Sequence, residues 1–274
     1  MEPAWIEPCI PTLVKTPPIG ADWLHEIKHD GYRAISVIKR GRAQMFTRRG
    51  HDWSARMPNI KTALERLKVK SAVIDGEVIM TDKDFISDFF ALHLAFARKS
   101  APDAILMAFD VIELDGEDLR PTPIEERRAI LEKLLRKPSP WLQFSAAAEG
   151  EGLEIWRAAC DVGLEGIISK RIGSPYRSGR STSWCKTVCT KTEHFAVIDA
   201  APGRGIVRSL KLARLVEGKL TPCGWVGSGL TEISARKIRT ILDAGQPIVA
   251  EVVYRGFTPA GELRHPSLKG WQTE

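Results

Sequence analysis

Short runs of strand-forming residues recur along most of the chain and are separated by turns rich in glycine and aspartate. One run at 35–38 precedes Arg40-Gly41, and a second run at 45–47 follows it. Two such runs joined by a short glycine turn are typical of a β-hairpin. The stretch "SAVIDGEVIM" (71–80) similarly predicts two short strands interrupted by a turn. We therefore expect an α+β protein with antiparallel sheets flanked by helices.

Four segments have the pattern of a helix. The best marked follows Thr122, which can cap a helix, with Pro123 at the first helical position and Glu125 completing a capping box. The remaining predicted helices begin at Pro58, span about residues 151–162, and run from Ile233 to Leu242.

The composition and the strand pattern of the sequence change near residue 190. The segment 170–186 is basic, rich in glycine and serine, and poor in apolar residues. After Thr192, short strand-like segments separated by turns predict a small β-barrel, interrupted by one helix. We therefore predict two domains, 1–190 and 191–274, joined near residues 188–193.

The overall charge favours a polyanionic partner. The chain has 274 residues and a formal net charge of +6, and a basic balance of this kind points first to nucleic acid. The amino terminus lacks the basic start and apolar core of a signal peptide, and no apolar run is long enough for a membrane span. A soluble, intracellular protein is therefore expected.

The five cysteines are scattered and odd in number. Cys185 and Cys189 lie four positions apart, but no second pair of ligands completes a zinc pattern. Buried or free thiols in a reducing compartment are the expectation that this spacing favours.

One lysine stands out as a candidate nucleophile. Lys28 lies in "KHDGYR", two positions before an Asp30-Gly31 pair and five positions before Arg33. A lysine becomes nucleophilic when burial or nearby cations lower its pKa. Taken alone, the pattern fits equally well an ordinary lysine at the end of a strand beside a common turn.

Other motifs follow in a fixed order. With Lys28 they form a set that resembles the covalent nucleotidyltransferases, which include the polynucleotide ligases and the mRNA capping enzymes. The sequences of these motifs are most similar to those of the ATP-dependent DNA ligases, specifically the ligase module of bacterial ligase D. The segments that carry the resemblance are "WIEPCIPTLV", "EIKHDGYR", "TRRG", "DGE", "FDVIELDG", "EGIISK", "WCKTVC" and "RHPSLKG".

The resemblance implies a nucleotidyltransferase (adenylation) domain followed by an OB-fold. It also implies that Lys28 attacks the α-phosphate of ATP and becomes lysyl-AMP. The AMP then passes to a 5′-phosphate in DNA, and the adjacent 3′-hydroxyl displaces it and seals the strand. Expected partners are nicked or broken double-stranded DNA and other end-joining repair proteins. The protein is expected to act as a monomer in the bacterial cytoplasm, at the nucleoid.

The resemblance also assigns roles to individual residues. Glu26 would contact the adenine, with Ile27 beside it, and Phe109 would stack on the base. Glu77 and Glu165 would hold the ribose and a Mg²⁺ (or Mn²⁺) ion, which prefers oxygen ligands. The cations expected around the phosphates and ribose are Arg33, Arg48, Lys170 and Lys186. Arg264, His265 and Lys269 would bind the pyrophosphate when the barrel closes.

The sequence departs from the family pattern at Val188, where many ligases have a second lysine two positions after Lys186. Two alternatives therefore stay open. One is an RNA ligase or capping-type nucleotidyltransferase that uses the same lysine. The other is a non-catalytic nucleic-acid-binding module with a decayed site. The chain is expected to be either a free-standing minimal ligase or the excised module of a larger repair protein.

Overall fold

A computed structural model describes residues 4–203 and 206–273. The helices are α1 (Pro58–Glu65), α2 (Phe89–Ala97), α3 (Ile124–Leu134), α4 (Gly152–Asp161) and α5 (Glu232–Asp243). The strands up to residue 188 are β1 (Cys9–Leu13), β2 (Trp23–Ile27), β3 (Tyr32–Lys39), β4 (Arg42–Thr47), β5 (Ser71–Ile79), β6 (Ile105–Leu114), β7 (Glu117–Asp118), β8 (Leu142–Phe144), β9 (Ala147–Ala148), β10 (Gly166–Arg171) and β11 (Gly179–Val188). The later strands are β12 (Lys191–Pro202), β13 (Val207–Val216), β14 (Lys219–Val226), β15 (Ile248–Tyr254) and β16 (Ser267–Thr273).

Contacts divide the chain into two compact units, Met1–Cys189 and Thr190–Glu274. The first unit contains two sheets. One has the strand order β1-β11-β10-β2-β9, and the other has the order β4-β3-β5-β6-β7 with β8 beside β6. The pairs β1–β11 and β6–β8 are parallel, and the other pairs are antiparallel. The predicted α+β class with largely antiparallel sheets is confirmed.

Strand β3 shows why the second sheet is buried on both faces. Ala34 and Ile38 point into a core with α1, α3 and their neighbours, whereas Ile35 and Val37 point into a second core. Successive side chains of a strand alternate between faces, so a continuous apolar run serves both cores. The second core also receives Trp184 from β11, and it lies under the candidate site.

The predicted interruption of the strand at Asp75-Gly76 is wrong, because β5 runs unbroken from Ser71 to Ile79. The aspartate is fully buried and bonded to an arginine instead of turning the chain. A Cβ at Gly76 would lie 2.8 Å from the carbonyl oxygen of Met107 on β6. This glycine therefore permits close strand packing, and the register shifts beside it.

The predicted capping box before α3 is also wrong. Pro123 occupies the N-cap position and no side chain caps the helix. Thr122 instead accepts a hydrogen bond through its carbonyl from buried Arg127, and Glu125 accepts one from the Gly173 amide. These two residues therefore form hydrogen bonds with Arg127 and Gly173 and do not form a capping box with each other.

The second unit is a five-stranded antiparallel sheet with the order β14-β13-β12-β15-β16, and α5 lies between β14 and β15 in the chain. The Leu268 amide on β16 donates to the Ser228 carbonyl just after β14, which brings the two outer strands together. Strand order, helix position and closure are those of an OB-fold, as predicted.

A disulfide joins Cys160 to Cys189, so the expectation of free thiols is wrong for this pair. Helix α4 packs against β10, and β11 pairs with β10, which brings two cysteines 29 positions apart into contact. Sequence spacing alone does not reveal this proximity. Cys9, Cys185 and Cys223 are free and buried. Of the helices in the described part of the chain, none combines the length and apolar character that a membrane span requires.

Candidate active site

Lys28 lies in a loop that tight backbone packing holds in place. Its amide donates to the carbonyl of Gly166, at 2.9 Å. A Cβ on Gly31 would lie 2.1 Å from the carbonyl oxygen of Val78, so only glycine fits at this position of the loop. Gly166 has φ +137° and equally little space, because a Cβ there would lie 2.1 Å from the Thr187 carbonyl oxygen. The glycines of the "DG" and "EG" motifs therefore position the loop that carries Lys28.

The Lys28 ammonium forms an ion pair with the Glu165 carboxylate. Both side chains are partly exposed, at 21% and 12% of their surface. Lys28 also lines a pocket of about 170 Å³, whereas Glu165 is not among its lining residues. The pocket is lined by Ile10, Pro11, Glu26, Ile27, Lys28, His29, Arg33, Arg48, Glu77, Phe109, Ile168, Lys170, Trp184 and Lys186. Most of the predicted site residues are therefore gathered around the candidate nucleophile.

Glu26 is buried at one wall of this pocket and is held by two cations. Arg128 from α3 and Lys170 from β10 each bond to its Oε1 atom at 2.6 Å. Glu26 is 2% exposed, so the carboxylate is desolvated and depends on these partners. The arrangement fixes the carboxylate for directional hydrogen bonding.

Lys170 lines the pocket and is also held by neighbouring side chains. Its Nζ atom lies 4.4 Å from the ring centre of Phe109 and 4.2 Å from that of Trp184, beside Glu26. Burial lowers its pKa, and the Glu26 carboxylate opposes that shift. Lys170 therefore supports the wall formed by Glu26 and Phe109.

The Arg33 side chain is also held by contacts within the protein. Its Nε and NH2 groups donate to both oxygens of Asp75, and its guanidinium lies 4.5 Å from the centre of the Phe109 ring. Tyr176 donates to the same Asp75 carboxylate at 2.6 Å. Burial acts to lower the pKa of Arg33, but Asp75 outweighs it and raises the pKa above its ordinary value. The guanidinium thus remains a fixed positive charge beneath the pocket.

The acids of the pocket suit a divalent cation. Burial raises the pKa of Glu77 to about 7, Arg33 and Lys28 oppose that shift, and Glu165 adds to it. A bound cation would relieve the repulsion that the Glu165 carboxylate exerts on Glu77. Among the described residues no group of three or more potential ligands is found. Mg²⁺ is commonly bound by one or two carboxylates together with substrate phosphates, so the donor set fits this ion.

Arg48 and Lys186 lie at the pocket, as expected, and Ile27 contributes an apolar surface. Val188 pairs in the sheet with Gly166, the glycine of the "EGIISK" motif. It does not line the pocket, whereas Lys186 and Trp184 on the same strand do. Arg264 and Lys269 belong to the second unit, where Lys269 forms an ion pair with Glu251 at 2.8 Å.

The sequence reasoning missed the buried arginines of α3. Arg127 and Arg128 lie on the helix face that also carries buried Ile124 and Leu131. Arg128 donates to Glu26 and to the carbonyls of Phe109 and Ser145. The available signal was the spacing, because arginines at the core positions of an amphipathic helix need buried anionic partners.

His29, next to the nucleophile, was also missed as a site residue. Its Nε2 atom lies 3.1 Å from the Ser145 hydroxyl, on the residue whose carbonyl binds Arg128. Burial lowers the pKa of His29 to about 4, and Lys28 and Lys170 add to the shift. The ring is therefore neutral at physiological pH, and it connects the nucleophile loop to the support of Glu26.

Comparison with known proteins places this geometry in a family. The family "ATP dependent DNA ligase domain" matches residues 12–187. The multifunctional non-homologous end joining protein LigD of Pseudomonas aeruginosa is 39% identical over 249 residues, which cover 88% of this chain and 29% of that protein. The bifunctional LigD of Bacillus subtilis is 28% identical and is covered over 44% of its length. The chain thus spans less than half the length of these relatives.

A solved structure agrees with the sequence comparison. Mycobacterial DNA ligase D, complexed with ATP and MES, has a TM-score of 0.63 and 28% identity, and the match covers 97% of this chain and 94% of that one. A prophage-derived DNA ligase-like protein, LigB of Bacillus subtilis, is 25% identical over 98% of this chain and 99% of its own length. With the motifs of the first unit gathered around Lys28, these matches show that the chain belongs to the ATP-dependent DNA ligases.

Proposed function

We propose that the first unit is the adenylation domain and that Lys28 carries AMP between ATP and DNA. The observation that carries this proposal is the placement of Lys28 in the lining of a pocket that combines a fixed carboxylate, an aromatic ring and several cations. Glu26 and Phe109 would recognise the adenine. Arg48 and Lys186 would contact the ribose and the phosphates.

In the first step the Lys28 amine would attack the α-phosphorus of ATP. A nitrogen–phosphorus bond forms, the bond to the pyrophosphate oxygen breaks, and pyrophosphate leaves. Lys28 must first give up a proton and its ion pair, and Glu165 is placed to receive the proton because it already contacts the ammonium. The lysyl-AMP bond retains the activation until DNA is bound.

Glu77 and Glu165 would hold a Mg²⁺ (or Mn²⁺) ion, which supplies charge neutralisation for the phosphates. Arg33 contributes positive charge from below without leaving Asp75. In the second unit, Arg264, His265 and Lys269 would bind the departing pyrophosphate. Residues near 188–193 would act as the hinge between the two domains, 1–190 and 191–274.

Labelling with α-³²P-ATP tests the first step. Wild type is expected to retain label after denaturing electrophoresis, and Lys28→Arg is expected to retain none. Arginine keeps the charge beside Glu165 but lacks a nucleophilic amine at physiological pH. Lys61→Ala is the control, since Lys61 lies on the surface of α1. Absence of label on wild type, or equal label on Lys28→Arg, would refute the assignment.

Sealing assays test the remaining steps and the two alternatives. Pre-adenylated protein is expected to join a nicked DNA duplex without added ATP, with release of AMP. Preference for a nicked RNA duplex, or for GTP over ATP, would favour an RNA ligase or a capping-type nucleotidyltransferase. DNA binding without self-adenylation would favour the non-catalytic module.

We also propose a role in end joining, which rests on the similarity to the non-homologous end joining LigD proteins. The substrates would be broken as well as nicked double-stranded DNA, and other repair proteins would bring the ends together. We expect the chain to act as a monomer in the bacterial cytoplasm, at the nucleoid. Joining of linear duplexes, compared with sealing of nicks by the same preparation, measures the end preference.

A further inference from the structure

The first unit has a large groove that shares no lining residue with the pocket around Lys28. It lies between the end of α1, the end of α3 and the segment 135–141, and its volume is about 960 Å³. Eight partly exposed apolar side chains form its floor and pack on the core beneath. These are Ala63, Leu67, Val69, Leu114, Ile130, Leu134, Leu135 and Trp141.

The rim of the groove is strongly basic. Its exposed cations are Arg66, Lys68, Lys133, Arg136 and Lys137. Among the residues that the structure describes, none of these five side chains has a hydrogen bond or an ion pair. The acids of the rim are Asp115 and Glu117, and Asp115 already accepts hydrogen bonds from the amides of Lys70 and Ser71. Positive charge therefore exceeds negative charge around an apolar floor.

We propose that this groove binds an amphipathic helix of a partner protein that carries aliphatic anchors on one face and acidic residues beside them. Aliphatic side chains spaced i, i+3, i+4 and i+7 would cover the floor, and carboxylates along both sides would meet the cations of the rim. An exposed apolar floor that is rimmed by charged residues is one form that protein interaction sites take.

The apolar floor distinguishes this occupant from nucleic acid. A DNA backbone would neutralise Lys133 or Lys137, but its phosphates have no apolar surface with which to cover Leu67 or Ile130. DNA binding would leave these side chains exposed, so the hydrophobic effect would add nothing to the free energy of binding. A helix with leucine anchors would remove them from water and gain that contribution. The combination of floor and rim therefore favours an acidic peptide.

The test uses a fluorescent 16-residue peptide with leucine at the helical spacing and glutamate or aspartate elsewhere, titrated with the full chain and followed by anisotropy. A micromolar Kd is expected, and a counterpart with lysine in place of the acids should not bind. Lys133→Glu with Lys137→Glu should weaken binding at least about tenfold by reversing two rim charges. Lys83→Glu with Lys237→Glu is the matched control, which changes net charge equally on exposed residues elsewhere.

Self-adenylation and the binding of a nicked duplex are measured on the same variants. Both are expected to stay unchanged, which separates this proposal from the function of the Lys28 pocket. Failure of the acidic peptide to bind, or equal loss in the control variant, would overturn the proposal. It would also be overturned if the rim variant weakened duplex binding, because the groove would then be a DNA contact.

Discussion

The ion pair between Arg127 and Asp110 provides a quantitative test of how the site is supported. Both side chains are fully buried, and two parallel bonds of 2.8 Å join the guanidinium to the carboxylate. Arg127 also donates to the carbonyls of Thr122 and Ser174. Asp110 directly follows Phe109, so the pair holds the strand that presents the candidate adenine platform.

Replacement of Arg127 by methionine should destabilise the first unit by about 3–5 kcal/mol, because it leaves a buried carboxylate without its counter-charge. The Val111 amide would remain as a donor to Asp110. Adding Asp110→Asn removes the stranded charge and should recover at least about half of the loss. Arg120→Met is the control, because Arg120 pairs with Asp118 at about one-third exposure, and it should cost no more than about 1 kcal/mol.

Urea unfolding followed by tryptophan fluorescence measures these free energies. Trp225→Phe and Trp271→Phe in every variant restrict the signal to the first unit, which contains the other tryptophans. A loss for Arg127→Met no larger than that for Arg120→Met would refute the reasoning. So would a double variant that is less stable than Arg127→Met alone.

Further predictions concern the loop, the glycines and the cysteines. Because the folded pKa of His29 is about 4 against 6.5 unfolded, the unfolded state binds the proton first, so stability should fall by at most about 3 kcal/mol as pH drops from 6.5 to 4. His29→Gln should reduce this dependence in urea titrations, and identical pH profiles would contradict the assignment. Gly166→Ala should lower self-adenylation at least about tenfold, because its Cβ meets a carbonyl in addition to the φ strain; Gly163→Ala, with open space around it, should cost far less. Thiol titration in denaturant should find three thiols before reduction and five after it if Cys160 and Cys189 are joined; five thiols in both states would exclude the bond.

Sequence patterns predicted the α+β class, the β3–β4 hairpin and the β-barrel because periodicity and glycine turns act locally. They failed at Asp75-Gly76 and Thr122, where distant partners decide the conformation. Asp75 looked like a turn residue, yet it is buried beneath Arg33 and Tyr176. Thr122 looked like a cap, yet Arg127 uses its carbonyl. Local propensity is a weak guide wherever a buried ion pair supplies the hydrogen bonds.

Most residues named from the motifs line one pocket, but the motifs alone do not assign a role to each of its cations. Lys170 and Arg33 both belong to motifs expected near phosphates; both line the pocket, and both are also held by buried carboxylates. Arg48 and Lys186 line the pocket from the turn after β4 and from β11. A spacing rule records which residues accompany each other in a family, whereas the role of each depends on which partner it meets in the fold.

The roles of these cations bear on Val188. Among the described residues, four cations besides Lys28 line the pocket: Arg33, Arg48, Lys170 and Lys186. If all four bound phosphate, the absence of a further lysine at position 188 would change the total positive charge only slightly. Lys170 and Arg33 are bonded to Glu26 and Asp75, and we expect Arg48 and Lys186, which line the same pocket, to contact the phosphates as well. Because valine replaces a second lysine at position 188, we expect Lys186 to be the cation of β11 that stabilises charge on the phosphates. Lys186→Ala should accordingly suppress self-adenylation more strongly than it suppresses binding of adenosine, which lacks phosphates, as measured by calorimetry. Equal losses in both would show that Lys186 shapes the pocket and does not serve mainly as a phosphate ligand.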